Sequence, residues 1–314
     1  MTQAPTPTAD TVRRLARTLL KGRDTGGTAA AAGPDVRPVS EGASAWWVGA
    51  HHVLRLAPDR EASARRRREA RLRDLVRPHV PVALPALAAQ GEWAPGLLCT
   101  LDTRLPGGTA EEHTVSAVGE TDLAGLLTGL REVPARQAAT LGVPRVAPRS
   151  LEALRRAARE AAERLAAADE FDSGRLDQLT PPAAVQLAAQ PGTAVLVHRA
   201  LTGEHLLLAA DGRVRGVLGW DAAAVGDPAE DIAGLAAAVG APAAVRAATL
   251  AGYGARACLR GLWLARCDAV VHLANALAGR TAGPLPLLRT RLRRAWEPIM
   301  LERVTDLRDG VEMP

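Results

Sequence analysis

The period of the apolar positions changes several times along this chain, and each change marks an element. Over residues 11–20 (TVRRLARTLL) they recur at helical spacing, with Thr8 or Asp10 placed to cap the start. Residues 22–34 (GRDTGGTAAAAGP) hold no large apolar side chain. Nothing there offsets the entropy of ordering, so a flexible linker is expected. Two short apolar stretches, 45–48 and 52–56, flank Gly49-Ala50 and predict a β-hairpin, with 36–39 as a further strand. A helical run follows over 60–76. Ala62, Ala70, Leu72 and Leu75 are its apolar positions, and Arg65 to Arg68, Arg71 and Arg73 crowd the rest as a solvated face. Pro78, Pro81 and Pro85 end the helix and lead into extended structure. Residues 96–101 (GLLCTL) read as a buried strand before a turn at Pro106-Gly107-Gly108.

Beyond that turn the character changes. Residues 122–130, 150–168 and 182–189 are Ala/Leu-rich helices. A β-rich interlude then runs from 194 to 219, with strands at 195–197, 205–208 and 214–218 and a tight turn at Asp211-Gly212. From 231 to 303 the chain reads as helix with short breaks, and no internal repeat is visible. The order is a small β region with one helix, a connector, then a mainly helical region with one internal hairpin. That predicts an α+β fold. A parallel doubly wound sheet would need strand–helix alternation, which is absent.

Composition narrows the function classes. The chain has 314 residues, a length suited to two domains or one bilobed unit. Aromatics are only 3%, so the core rests on Leu, Val and Ala with six Trp as large pieces. The net charge is +5, and Lys21 is the sole lysine. A pI near 10 admits nucleic acid as a partner, but acids are mixed among the arginines, and a solvated mixed surface is the better reading. Cys99, Cys258 and Cys267 are odd in number and lack metal-ligand spacing, which excludes a disulfide scaffold and suits a reducing compartment. The start carries no signal-peptide pattern, and the apolar stretch 232–245 is too short to cross a bilayer. A cytoplasmic protein with no membrane contact is expected.

The segment 195–231, VLVHRALTGEHLLLAADGRVRGVLGWDAAAVGDPAED, carries the most specific signal. It resembles the catalytic core of the aminoglycoside phosphotransferase family, small-molecule kinases with a protein-kinase-like fold. In that family a strand is followed by H-G-D-L-x-x-x-N, a hairpin, I-D-W-[DEG] and then G-D-P-x-x-D. His198, Leu201, the Asp211-Gly212 turn, Trp220, Gly226-Asp227-Pro228 and Asp231 fall at matching spacing, and Glu204-His205 resembles a variant of the loop. Upstream, Arg55 looks like the basic residue of the third strand and Glu69 like its ion-pair partner in the following helix. Gly42-Ala43-Ser44 falls on the turn over the phosphates, Leu105-Pro106-Gly107-Gly108 just after the hinge, and Leu130 to Pro134 on a family L-H-x-V-P stretch. The resemblance implies a bilobed fold. Residues 1–35 would be an N-terminal helix and linker, 36–104 the N-lobe and hinge, and 105–314 the helical C-lobe.

The same resemblance implies ATP or GTP with Mg²⁺ as cofactor and a small molecule as partner. Phosphoryl transfer needs an Asp to take the acceptor's proton and a second Asp to hold the metal against the phosphates. Carried over residue by residue, those positions are Ala200 and Gly219, and the usual Gly after His198 is Arg199. Both carboxylates are gone. The expected nucleotide-binding residues are Gly42, Ser44, Arg55 and Glu69. His205 and Asp221 are the remaining candidates for metal, Asp221 because an extended segment would point it to the same side as position 219. His198 would brace the loop, Asp227 and Asp231 would be structural, and Trp220 would be core. The leading expectation is a catalytically impaired phosphotransferase that binds a nucleotide or small ligand. The alternatives are an active enzyme with a non-standard metal site, and a basic scaffold built on the arginine-rich helix.

Overall fold

A computed structural model of the chain describes residues 6–21, 34–39, 44–190 and 194–299. Residues 22–33 of the predicted linker and Gly42 lie outside the described residues. Helix α1 (Ala9–Leu20) starts at Thr8, whose hydroxyl accepts from the Thr11 N–H at 3.2 Å. Strands β1 (Val36–Pro38), β2 (Ala45–Val48) and β3 (His52–Leu56) lead into α2 (Arg60–Val76). Then β4 (Leu87–Ala94) and β5 (Leu97–Thr103) complete an antiparallel sheet in the order β1-β2-β3-β5-β4.

Strand alternation gives this sheet two different faces. Leu54 and Leu56 on β3 and Cys99 and Leu101 on β5 meet Val12 and Ala16 of α1 in one apolar cluster. Arg55, Thr100 and Asp102 point the other way, toward α2. Helix α1 is thus part of the N-lobe core. Strand β4 was expected only as extended structure. Its Ala-rich sequence around Gly91 has no strand signature, and Leu19 of α1 packs over that glycine.

After β5 come β6 (Gly108–Thr109), α3 (Ala117–Glu132), α4 (Ala135–Thr140), α5 (Leu151–Ala167) and α6 (Pro181–Gln186). Helix α3 begins five residues before the expected 122, because the Ser116 hydroxyl caps it by accepting from Gly119 N–H. Strands β7 (Val195–Val197), β8 (Leu206–Leu208), β9 (Val214–Val217) and β10 (Ala224–Gly226) form two small sheets, β6-β8-β9 and β10-β7. The predicted strand at 205–208 starts one residue later, since 203–205 make a 3-10 turn. Helices α7 (Ala229–Val239), α8 (Ala241–Leu250), α9 (Ala255–Leu277) and α10 (Leu285–Ala295) close the lobe, with α9 packed on α5, α7 and α10. No described helix is long and apolar enough to cross a membrane.

Candidate active site

The cleft between the lobes has two connected ends that share Ala45, Arg55 and Leu218. One end, about 320 Å³, is walled by Trp47, Val53, Leu105 and Leu207. Arg104 stacks on the Trp47 ring there, with its guanidinium carbon 4.3 Å from the ring centre. The other end, about 420 Å³, is polar. Arg55, Arg65, Arg66, Glu69, His205, Gly219 and Asp221 line it, with Ser44 at its edge.

The expected strand–helix pair forms. Arg55 Nη1 donates to Glu69 Oε1 at 3.2 Å. Sequence reasoning missed what lies behind it. Arg73, placed above on the solvated face of α2, is only 2% exposed and donates to Asp102 at 2.8 Å, with Glu69 at 3.8 Å. Thr100 donates to the other oxygen of Asp102. Arg66 likewise turns inward. Its Nε is buried without a hydrogen-bond partner. Burial first, and then the neighbouring Arg55, push its pKa below the ordinary guanidinium value. The solvated-face reading of α2 therefore fails at Arg66 and Arg73. The signal was in the sequence: 62, 66, 69, 73 and 76 repeat at 3–4 residues and form one stripe.

The loop after β7 is held from beneath. Asp231 accepts from the N–H groups of His198 at 2.8 Å and Arg199 at 2.7 Å. Burial pushes its pKa up to about 7, and those two N–H donors pull against the rise. Arg199 sits at φ +63°, a left-handed conformation that explains why glycine is usual there. His198 is fully buried, packs edge-on to Trp220 at 4.5 Å, and accepts from Ala200 N–H through Nδ1. Burial and the adjacent His205 push its pKa down to about 3, partly offset by the Leu218 backbone. It braces the loop as a neutral ring. Asp227 pairs with buried Arg260 at 2.6 Å and accepts from Ala229 N–H at the start of α7.

His205 Nδ1 lies 2.8 Å from the Ala200 carbonyl, to which it donates. This hydrogen bond fixes the ring against Gly219. A Cβ placed on Gly219 would lie 2.6 Å from His205 Cε1 and Nε2. The imidazole therefore fills the space that a side chain at 219 would need. Gly219 itself is at φ +79°, and 220–222 form a 3-10 turn. The segment is not extended, so the alternation argument for Asp221 fails, although Asp221 does border the same end of the cleft.

These residues do not fit Mg²⁺, which is held through carboxylate oxygens. Glu69 is committed to Arg55 and Arg73. One His205 nitrogen is used on Ala200, and Asp221 stands on an exposed turn. Among the described residues no three His, Cys, Asp or Glu side chains gather into a metal site.

A second cavity, about 310 Å³, opens beside the loop between α7, α9 and α10. Arg199, Arg149, Arg291, Glu230 and Asp268 bring charge to a wall of alanines. Arg149 donates to both oxygens of Asp268 and to Glu230. Burial lowers its pKa, but those two carboxylates outweigh burial and raise it above the ordinary arginine value.

The sequence matches the phosphotransferase enzyme family over residues 35–262. No curated protein matches it. The fold is similar to that of the GDP complex of wild-type aminoglycoside 2'-phosphotransferase-IIIa, with TM-score 0.63, 17% identity, and coverage of 90% of this chain and 98% of that one. It is similar too to the macrolide 2'-phosphotransferase MphH from Brachybacterium faecium, with TM-score 0.59, 23% identity, and coverage of 92% and 99%. A streptomycin-ATP-APH(2")-IIa ternary complex gives TM-score 0.56 at 13% identity, covering 94% and 98%.

Proposed function

The chain belongs to the phosphotransferase enzyme family, and from that we propose that it binds a nucleotide between its lobes without transferring a phosphoryl group. The observation that carries this reading is the pairing of Ala200 with a Gly219 whose side-chain space is filled by the His205 ring. Transfer needs a base at the acceptor hydroxyl and a cation held on the phosphates. Ala200 presents a methyl group, and its carbonyl is already bonded to His205. The cleft itself keeps an apolar end for a base and a cationic end for phosphates. Complexes of similarly folded proteins with GDP and with ATP support the nucleotide as ligand.

Thermal unfolding with ATP, GTP and their diphosphates tests this, because a ligand that binds only the folded state raises Tm. A rise with at least one nucleotide is expected, and Ala45→Phe, which fills the point where the two ends meet, should abolish it. No shift with any of the four would overturn the reading. A second reading, transfer through a displaced carboxylate, rests on Asp221 at the cleft wall. It predicts Mg²⁺-dependent turnover that Asp221→Ala removes.

A further inference from the structure

The polar end of the cleft carries more guanidinium charge than its carboxylates balance. Arg55, Arg65 and Arg66 face it, against the two carboxylates of Glu69 and Asp221. Glu69 answers Arg55 but is shared with buried Arg73. Arg65 reaches back to Glu61 on its own helix, an exposed pair that a ligand can displace at little cost. Arg66 has no hydrogen bond to its buried Nε; burial and Arg55 disfavour its charge, while Glu69, Asp102 and Asp221 act in the other direction without outweighing them. A guanidinium half removed from water beside another, with a donor left unused, is unfavourable until an anion arrives.

Guanidinium groups bind phosphate oxygens through paired N–H donors and need no metal to do so. In this cleft they stand where a metal carboxylate is missing, and the His205 ring prevents a carboxylate at 219 from replacing them. We propose that this end binds a phosphate chain, as carried by a nucleoside diphosphate or triphosphate or by free polyphosphate, through Arg55, Arg65 and Arg66 without a divalent metal. The nucleotide as source rests on the function proposed above, whereas the anion site stands on the arginines alone.

Calorimetric titration of the full chain separates the two. GDP, GTP, ADP, ATP and inorganic tripolyphosphate are each titrated in EDTA and in Mg²⁺. The expected result is binding in EDTA with affinity within about twofold of that in Mg²⁺, weakening as salt rises. Arg66→Ala should weaken binding by about tenfold or more, the effect of losing a charge-assisted hydrogen bond. Arg66→Lys should recover only part, since an ammonium lacks the planar pair of donors. The Tm of ligand-free Arg66→Ala should be unchanged or raised, which separates lost affinity from lost fold. Nucleotide binding that appears only with Mg²⁺ would overturn the metal-free site and leave nucleotide binding standing. Tripolyphosphate binding in EDTA without nucleotide binding would uphold the anion site and overturn the nucleotide. Undiminished affinity in Arg66→Ala, or no binding by any probe, would overturn the proposal.

Discussion

At residue 219 the absence of a side chain is enforced by its neighbour. Gly219 is left-handed, and the His205 ring occupies the Cβ direction. Gly219→Asp is therefore expected to lower stability, by about 1–2 kcal/mol for the backbone alone and more for the clash, and to give no gain in Mg²⁺ affinity. Only with His205→Ala beside it should a Mg²⁺-dependent gain in nucleotide affinity appear, read by calorimetry. A gain in the single variant would show that the ring moves freely. Two buried groups beneath the loop give a pH signature. His198, held down to about 3 against an ordinary 6.5, contributes stability that is present above pH 6.5 and lost as pH falls toward 3. Asp231, raised to about 7 from 3.8, contributes stability that is present below pH 4 and lost as pH rises to 7. Between about pH 4 and 6.5 the two slopes oppose, each up to about 1.4 kcal/mol per pH unit. Relative to wild type, Asp231→Asn should gain stability as pH rises through that window and His198→Phe should lose it, by urea unfolding. Curves parallel to wild type would refute both assignments. That neither 200 nor 219 carries a carboxylate is plain in the sequence. The clash of His205 with position 219 is not, because it depends on a ring orientation set by the Ala200 carbonyl.

Helix α2 shows where element-scale reading falls short. Its length follows from pattern, and the structure adds the cap: Asp59 accepts from Ala62 N–H at 2.6 Å. The stripe it buries is charged, however, because the sheet face opposite offers Arg55 and Asp102 rather than apolar side chains. An apolar-period search passes over such a stripe. Removing one partner should cost far more than removing both. Asp102→Ala leaves buried Arg73 with only the shared Glu69 at 3.8 Å, and a loss of about 3–5 kcal/mol is expected. The double variant Asp102→Leu with Arg73→Leu should recover most of it, and equal losses in the two would contradict the pairing. Strand β4 was hidden for a different reason. It pairs with β5 through backbone bonds, with register shifts on either side, while half of its residues are Ala or Gly. Helix α1 was visible as a helix, but its seat on the sheet was not. Val12 and Ala16 are fully buried there, so deleting residues 1–21 should bare the cluster around Leu54 and lower Tm.

Across the whole molecule, the bilobed arrangement was readable because an ordered motif set spans both lobes, whereas cavity chemistry depends on contacts between distant helices. The cavity beside the loop illustrates this. Its two carboxylates come from α7 and α9, and Arg149, far from both in sequence, holds them. Arg291 is likewise spent on Glu111, while Arg199 is exposed at the mouth. A polycation finds no free carboxylate among these groups, so kanamycin should produce no rise in Tm. A rise that Glu230→Gln abolishes would show that the ion pairs open for a cationic guest. The central claim is that the cleft holds a nucleotide and does not transfer its phosphate. It is tested most directly by incubating the purified full chain with γ-labelled ATP or GTP, Mg²⁺, and an aminoglycoside or a macrolide acceptor. No labelled product above the protein-free control is expected with either. Mg²⁺-dependent product that scales with protein and vanishes in Asp221→Ala would contradict the claim.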